Sequence, residues 1–178
     1  VKIWSCFFSQ TGSEIYNLSK TLKRVPDVII TNKSIDNIDT INKGLVDEYF
    51  DRILFLPKKP NIEEYETAIP EGSVVTLHGY LRIIPATICE NYEIYNLHPA
   101  PLTTYPFLKG QDPQKKIFEQ KLSLGGNTIH RCTAELDSGE ILLEENFNVR
   151  GLNLDTLIAL THKKASGLWY NFLKERVK

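Results

Sequence analysis

Up to about residue 78, apolar positions come in short runs separated by polar turns. Lys2 to Phe8 is one such run and suits a strand covered on both faces. Ser9-Gln-Thr-Gly-Ser13 predicts a turn, with Ser13 placed to cap a helix in which Ile15, Leu18 and Leu22 recur at helical spacing. Val25-Pro26 ends that helix, and Asp27 to Thr31 reads as a second strand. Asn32 to Asn42 is polar and fits no single element, whereas Gly44 to Phe50 fits a helix. Arg52 to Leu56 reads as a third strand closed by Pro57 and Pro60, Asn61 to Ile69 as a short helix, and Ser73 to Leu77 as a fourth strand. Strands alternating with helices predict βαβ units and a mainly parallel sheet.

Beyond residue 78 the pattern changes. A loop with apolar and charged residues side by side leads into a short helix-like segment and then a strand, Glu93 to Leu97. Asp112, Pro113 and Gln114 open a helix to Lys121, which Gly125-Gly126 is expected to break. Asn127 to Thr133 and Ile141 to Val149 are both strand-like, and so short a connection between them predicts antiparallel pairing. Asp155 to Arg176 places Leu157, Leu160, Leu168 and Phe172 on one helical stripe. No repeat, low-complexity run or linker interrupts the chain, so residues 1–178 are expected to form a single domain.

Composition narrows the partners. A formal charge of −1 gives no reason to expect a nucleic acid, while a small phosphorylated molecule needs only a local site. Cys6, Cys89 and Cys132 are odd in number and widely spaced, as expected of reduced thiols in a cytoplasmic protein. The Ile3-to-Phe8 run is too short for a signal peptide, and no stretch reaches the roughly 20 apolar residues of a membrane helix.

Asn96 and His98 share one face of their strand, and Pro99 and Pro101 fix the exit loop. An amide and an imidazole delivered together can stabilise an oxyanion and relay a proton. His78, His130 and His162 are read by default as structural histidines. Asp137, in Glu135-Leu-Asp137-Ser-Gly139, is either a plain turn residue or the carboxylate that orients an imidazole. The turn from Ser9 to Glu14 opens the first helix and suits an anion, although Glu14 itself would repel a phosphate. No His or Cys pair has metal-ligand spacing, and no Gly-x-Ser-x-Gly elbow points to a serine hydrolase.

Gly79-Tyr-Leu-Arg-Ile-Ile, Tyr95-Asn96-Leu-His98-Pro-Ala-Pro-Leu, Tyr105-Pro106, Gly126-Asn-Thr-Ile-His130 and Glu135-Leu-Asp137-Ser-Gly139-Glu-Ile-Leu stand in this order. Over residues 73 to 149 they resemble the folate-dependent formyltransferases, most closely those acting on glycinamide ribonucleotide. The resemblance implies an α/β fold with a Rossmann-like, mainly parallel sheet, helices on both faces and an antiparallel C-terminal strand pair. It also implies a nucleotide- or phosphate-binding half over residues 1–78 and a folate-binding, catalytic half over 79–178.

By the same resemblance, a formyl group passes from 10-formyltetrahydrofolate to an amine without a metal, in purine biosynthesis. Asn96 and His98 would donate to the oxyanion, and Asp137 would hold His98 and a proton-carrying water. Leu81, Arg82, Ile83, Ile84, Ile88, Ile94, Ala134 and Glu135 would hold the folate. Gly12, Ser13, Glu14 and Pro99 would face a phosphorylated amine. The family usually has Asn where Glu14 stands, and a Leu-Pro step where Leu102-Thr103 stands, which affects the acceptor more than the chemistry. Other acceptors are an amino-sugar nucleotide or a modified nucleotide, and a non-catalytic folate or nucleotide binder is the alternative to an enzyme. A monomer or homodimer fits either reading.

Overall fold

The computed structural model describes residues 1–177. Its elements are β1 (Trp4–Phe8), α1 (Ser13–Leu22), β2 (Val28–Thr31), α2 (Lys43–Tyr49), β3 (Ile53–Phe55), α3 (Ile62–Ala68) and β4 (Val74–Leu77). There follow α4 (Ala86–Asn91), β5 (Glu93–His98), α5 (Pro113–Glu119), β6 (Leu124–Arg131), β7 (Ile141–Asn148) and α6 (Leu154–Lys174). Strand order is β3-β2-β1-β4-β5-β6-β7. The first five strands pair in parallel, and β6 with β7 antiparallel, as the two halves of the sequence pattern imply. Two compact units result, one from residues 1–95 with the carboxyl-terminal stretch from residue 173, the other from residues 96–172.

In the first unit, all five residues of β1 are buried. Its polar atoms are matched by the neighbouring strand and the turn before it: Trp4 Nε1 donates to Thr76 Oγ1 at 2.9 Å, and Ser5 Oγ to Ser73 Oγ at 3.1 Å. Buried polar groups satisfied in this way escape the desolvation penalty of an unpaired group. The expected Ser13 cap is corrected. Gly12 holds the cap position at φ 72°, Ser13 is the first helical residue, and Thr11 Oγ1 accepts from the Ser13 N–H. A left-handed turn packed against Leu45, where a Cβ on Gly12 would lie 2.7 Å from Cδ2, requires glycine there. The polar stretch after β2 folds as 3₁₀ turns over Ile35–Thr40, capped by Ser34.

In the second unit, Ala100, Leu102, Leu108, Ile117, Val149 and Leu157 form a core cluster. Gly125 and Gly126 do not break the chain there; both lie buried inside β6. A Cβ at Gly126 would stand 2.3 Å from the Glu145 carbonyl oxygen and 2.9 Å from Pro101 Cβ, so glycine marks a close backbone approach rather than a turn. Along α6 the buried line is Leu157, Thr161, Ala165, Leu168, Trp169 and Phe172, with Leu160 only half-buried. His162, Lys163 and Lys164 are exposed. No helix among the described residues is long and apolar enough to cross a membrane.

Candidate active site

The second unit begins where β5 runs out through Asn96, Leu97 and His98. Asn96 is half-buried and leaves its amide without a hydrogen-bond partner among the described residues. His98 is buried, with Nε2 2.6 Å from the Leu108 carbonyl oxygen. A carbonyl only accepts, so the Nε2 position carries the proton and the neutral ring keeps its lone pair on Nδ1. Nδ1 in turn lies 3.3 Å from Asp137 Oδ2.

Asp137 sits in a left-handed conformation (φ 52°) at the tip of the β6–β7 connection and is itself buried. Its Oδ2 accepts the Gly110 N–H at 2.9 Å, and its Oδ1 lies 3.4 Å from His130 Nε2. Lys109 Nζ reaches Ser138 Oγ at 3.3 Å, so residues 108–110 brace both the imidazole and the carboxylate. Burial opposes ionisation of Asp137, but the His130 contact, the Gly110 N–H and the nearby imidazoles outweigh it and hold the carboxyl below its usual range. For His98, burial lowers the imidazole below its usual 6.5, and the Asp137 carboxylate only partly restores it.

Chemically, this arrangement can serve as a base with a counter-ion behind it. The lone pair on His98 Nδ1 can accept a proton, and Asp137 is placed to hold the imidazolium that would form. Donation from the His98 imidazole to an oxyanion, expected from the sequence, would need that protonation first, because the Nε2–H is committed to Leu108. His130, a structural histidine by its sequence context, stands against Asp137. Only its place in Gly126-Asn-Thr-Ile-His130 hinted at this.

The remaining candidates fall in two places. In the first unit, Leu81 and Ile83 are 68% and 81% exposed, Arg82 is exposed and Ile84 is buried. Ile88 and Ile94 have no exposed surface and lie in the core. The Leu81 N–H is held by Ser9 Oγ at 2.9 Å, which donates to Asn32 Oδ1 at 2.7 Å, while Asn32 Nδ2 reaches the Lys58 carbonyl at 3.0 Å. In the second unit, Ala134 and Glu135 are exposed in the β6–β7 connection, and Pro99 is half-buried beyond β5. Gly12, Ser13 and Glu14 form the β1–α1 turn, where Glu14 Oε1 meets His78 Nδ1 at 2.6 Å. That turn and the end of β4 lie at the point where the parallel strand order reverses direction around β1, the usual place for a ligand in such a sheet.

A formyl transferase family model matches residues 25–167. The trifunctional purine biosynthetic protein adenosine-3 of Bos taurus is 27% identical over 164 residues, covering 84% of this chain and 16% of that protein. A phosphoribosylglycinamide formyltransferase from Dictyostelium discoideum is 30% identical over 110 residues, 57% of this chain and 50% of the relative. The chain thus spans half or less of the length of these relatives. Glycinamide ribonucleotide transformylase 1 from Geobacillus kaustophilus has the same fold, with a TM-score of 0.80 at 18% identity over 99% of both chains. That of Symbiobacterium toebii gives 0.78 at 16% identity over 98% of this chain and 86% of the other. With the family model spanning most of its length, the chain belongs to the formyl transferase family.

Proposed function

We propose that this protein moves a formyl group from 10-formyltetrahydrofolate to the amine of a small phosphorylated acceptor, glycinamide ribonucleotide in purine biosynthesis. The observation that carries the reading is the buried His98–Asp137 pair, with the His98 proton fixed on Nε2 by Leu108. The folate supplies the activated formyl carbon. The exposed apolar side chains of Leu81 and Ile83 suit a flat aromatic ring, with Arg82 between them.

In this reading, Asn96 donates its side-chain NH₂ to the oxygen that becomes negative as the amine adds. One such donor is typically worth about 2.7–4 kcal/mol in the transition state. His98 takes the amine's proton at Nδ1, directly or through a water, and Asp137 stabilises the charge. The proton then passes to the leaving folate nitrogen as its bond to the formyl carbon breaks and the oxyanion's electron pair re-forms the carbonyl. Gly12 and Ser13 serve the acceptor, and the small-molecule substrates accord with a cytoplasmic protein.

The test is His98→Ala with 10-formyltetrahydrofolate and glycinamide ribonucleotide, followed by product mass. Turnover is expected to vanish while folate binding survives. Wild-type protein that binds folate but formylates neither glycinamide ribonucleotide nor an amino-sugar nucleotide would sink the reading.

A further inference from the structure

Past the carboxyl ends of the parallel strands, the first unit holds a cavity of about 720 Å³, within the roughly 300–1,000 Å³ of a small-molecule site. Part of its lining is tied together by hydrogen bonds. Ser9, just after β1, donates to Asn32 Oδ1 at 2.7 Å, and Asn32, just after β2, donates to the Lys58 carbonyl beyond β3 at 3.0 Å. The same Ser9 oxygen accepts the Leu81 N–H, beyond β4, at 2.9 Å. The segments that follow four strands are therefore braced in the empty cavity. Both ends of the Asn32 amide are used in this way, which makes it a strut.

Three cationic residues line the cavity, Lys33, Lys58 and Arg82, and no Asp or Glu does. None of the three pairs with a carboxylate among the described residues. Like charges gathered on a concave wall without counter-ions raise a positive potential there and favour an anion. Ile35 and Leu81, 53% and 68% exposed, add apolar surface beside Phe55. Asn37 also lines the cavity, and its side-chain amide makes no hydrogen bond among the described residues. A free amide offers a donor beside an acceptor, the pattern that matches an adenine edge. Where a sheet of this kind holds a nucleoside beyond a strand end, an acidic residue takes the ribose hydroxyls and a basic one takes a phosphate. Asn32 and Lys33 stand at that point after β2, and neither is acidic.

We propose that this cavity is a binding site for an adenine mononucleotide, with the base against Ile35, Phe55 and Leu81 and the phosphate among Lys33, Lys58 and Arg82. A phosphate monoester carries about −1.5 to −2 charges at pH 7, which the three cations match. Gly12, Ser13 and Glu14 do not line the cavity, so it is separate from the turn assigned to the acceptor. Leu81 and Arg82 belong also to the surface assigned to the folate, and binding is therefore measured with neither folate nor acceptor present.

The test is calorimetric titration of the full chain with adenosine 5′-monophosphate at low salt, with γ-linked tetraglutamate as a polyanion that has no ring. Wild type should bind the mononucleotide with a dissociation constant below about 1 mM. The double variant Lys33→Gln, Lys58→Gln should bind it about tenfold more weakly. Neither lysine side chain bonds to another described residue, so the double variant keeps its fold, which circular dichroism checks. Ile35→Ser, at an exposed position, should weaken binding about threefold through lost apolar contact with the base. No binding by wild type, or unchanged affinity in either variant, overturns the proposal. Tetraglutamate binding more tightly than the mononucleotide also overturns it, because the cations then serve a chain of carboxylates. Formyl transfer is scored separately: mononucleotide binding without turnover removes the reaction but not this site, and turnover without mononucleotide binding does the reverse.

Discussion

Asp137→Asn isolates the charge behind the base. The substitution keeps the shape and an oxygen for the Gly110 N–H, which Asp137 holds at 2.9 Å, but removes the negative charge 3.3 Å from His98 Nδ1. Coulomb's law at that separation gives about 5 kcal/mol for an effective dielectric of about 20 and about 1 kcal/mol in water. Both side chains are buried, so the first limit is nearer, and relaxation of the asparagine amide returns part of it. The expected loss of transition-state stabilisation is about 2–4 kcal/mol, or roughly 30- to 1,000-fold in kcat/KM. The assay is steady-state formyl transfer across pH, with folding monitored by circular dichroism. Asp137 raises the His98 pKa against the dominant effect of burial, so the acid limb of the variant should move to lower pH. A purely structural aspartate would not shift that limb. A folded variant within threefold of wild type, with its acid limb unmoved, would refute the base-and-counter-ion scheme.

In wild type, kcat/KM should fall as pH drops through the His98 pKa, with a midpoint below the usual 6.5 because burial disfavours the charged ring. A midpoint above that value contradicts the neutral-base assignment. Gly126→Ala must displace the Glu145 carbonyl or shift β6, because its Cβ would fall 2.3 Å from that oxygen; a loss of about 2 kcal/mol or more is expected in urea unfolding. Asn127→Ala removes the side-chain amide that donates to Glu145 Oε1 at 2.9 Å and to the Thr161 carbonyl at 3.0 Å. Leaving those acceptors unpaired should cost about 1–3 kcal/mol by the same measurement, and an unchanged midpoint would count against the bonds.

Local pattern determined much of this protein. Short buried runs between polar turns specify β1 to β4 and the helices joining them, because a parallel strand covered on both faces must be apolar along its length. Two-residue alternation put Asn96 and His98 on one face, and the brief Asp137 connection required antiparallel strands on either side of it. Glycine and serine are less legible from local pattern. Gly125-Gly126 looks like a breaker until β7 and Pro101 are seen pressing on it, and Ser13 looks like a cap until Leu45 is seen packing against Gly12.

Tertiary structure alone decided which atoms face one another in the candidate site. The Leu108 carbonyl fixes the His98 tautomer from ten residues away, and Glu14 meets His78 across a separation of 64. Periodicity records which side of an element faces the core, whereas these contacts depend on how separate loops come together, and that geometry has no local signature in the chain.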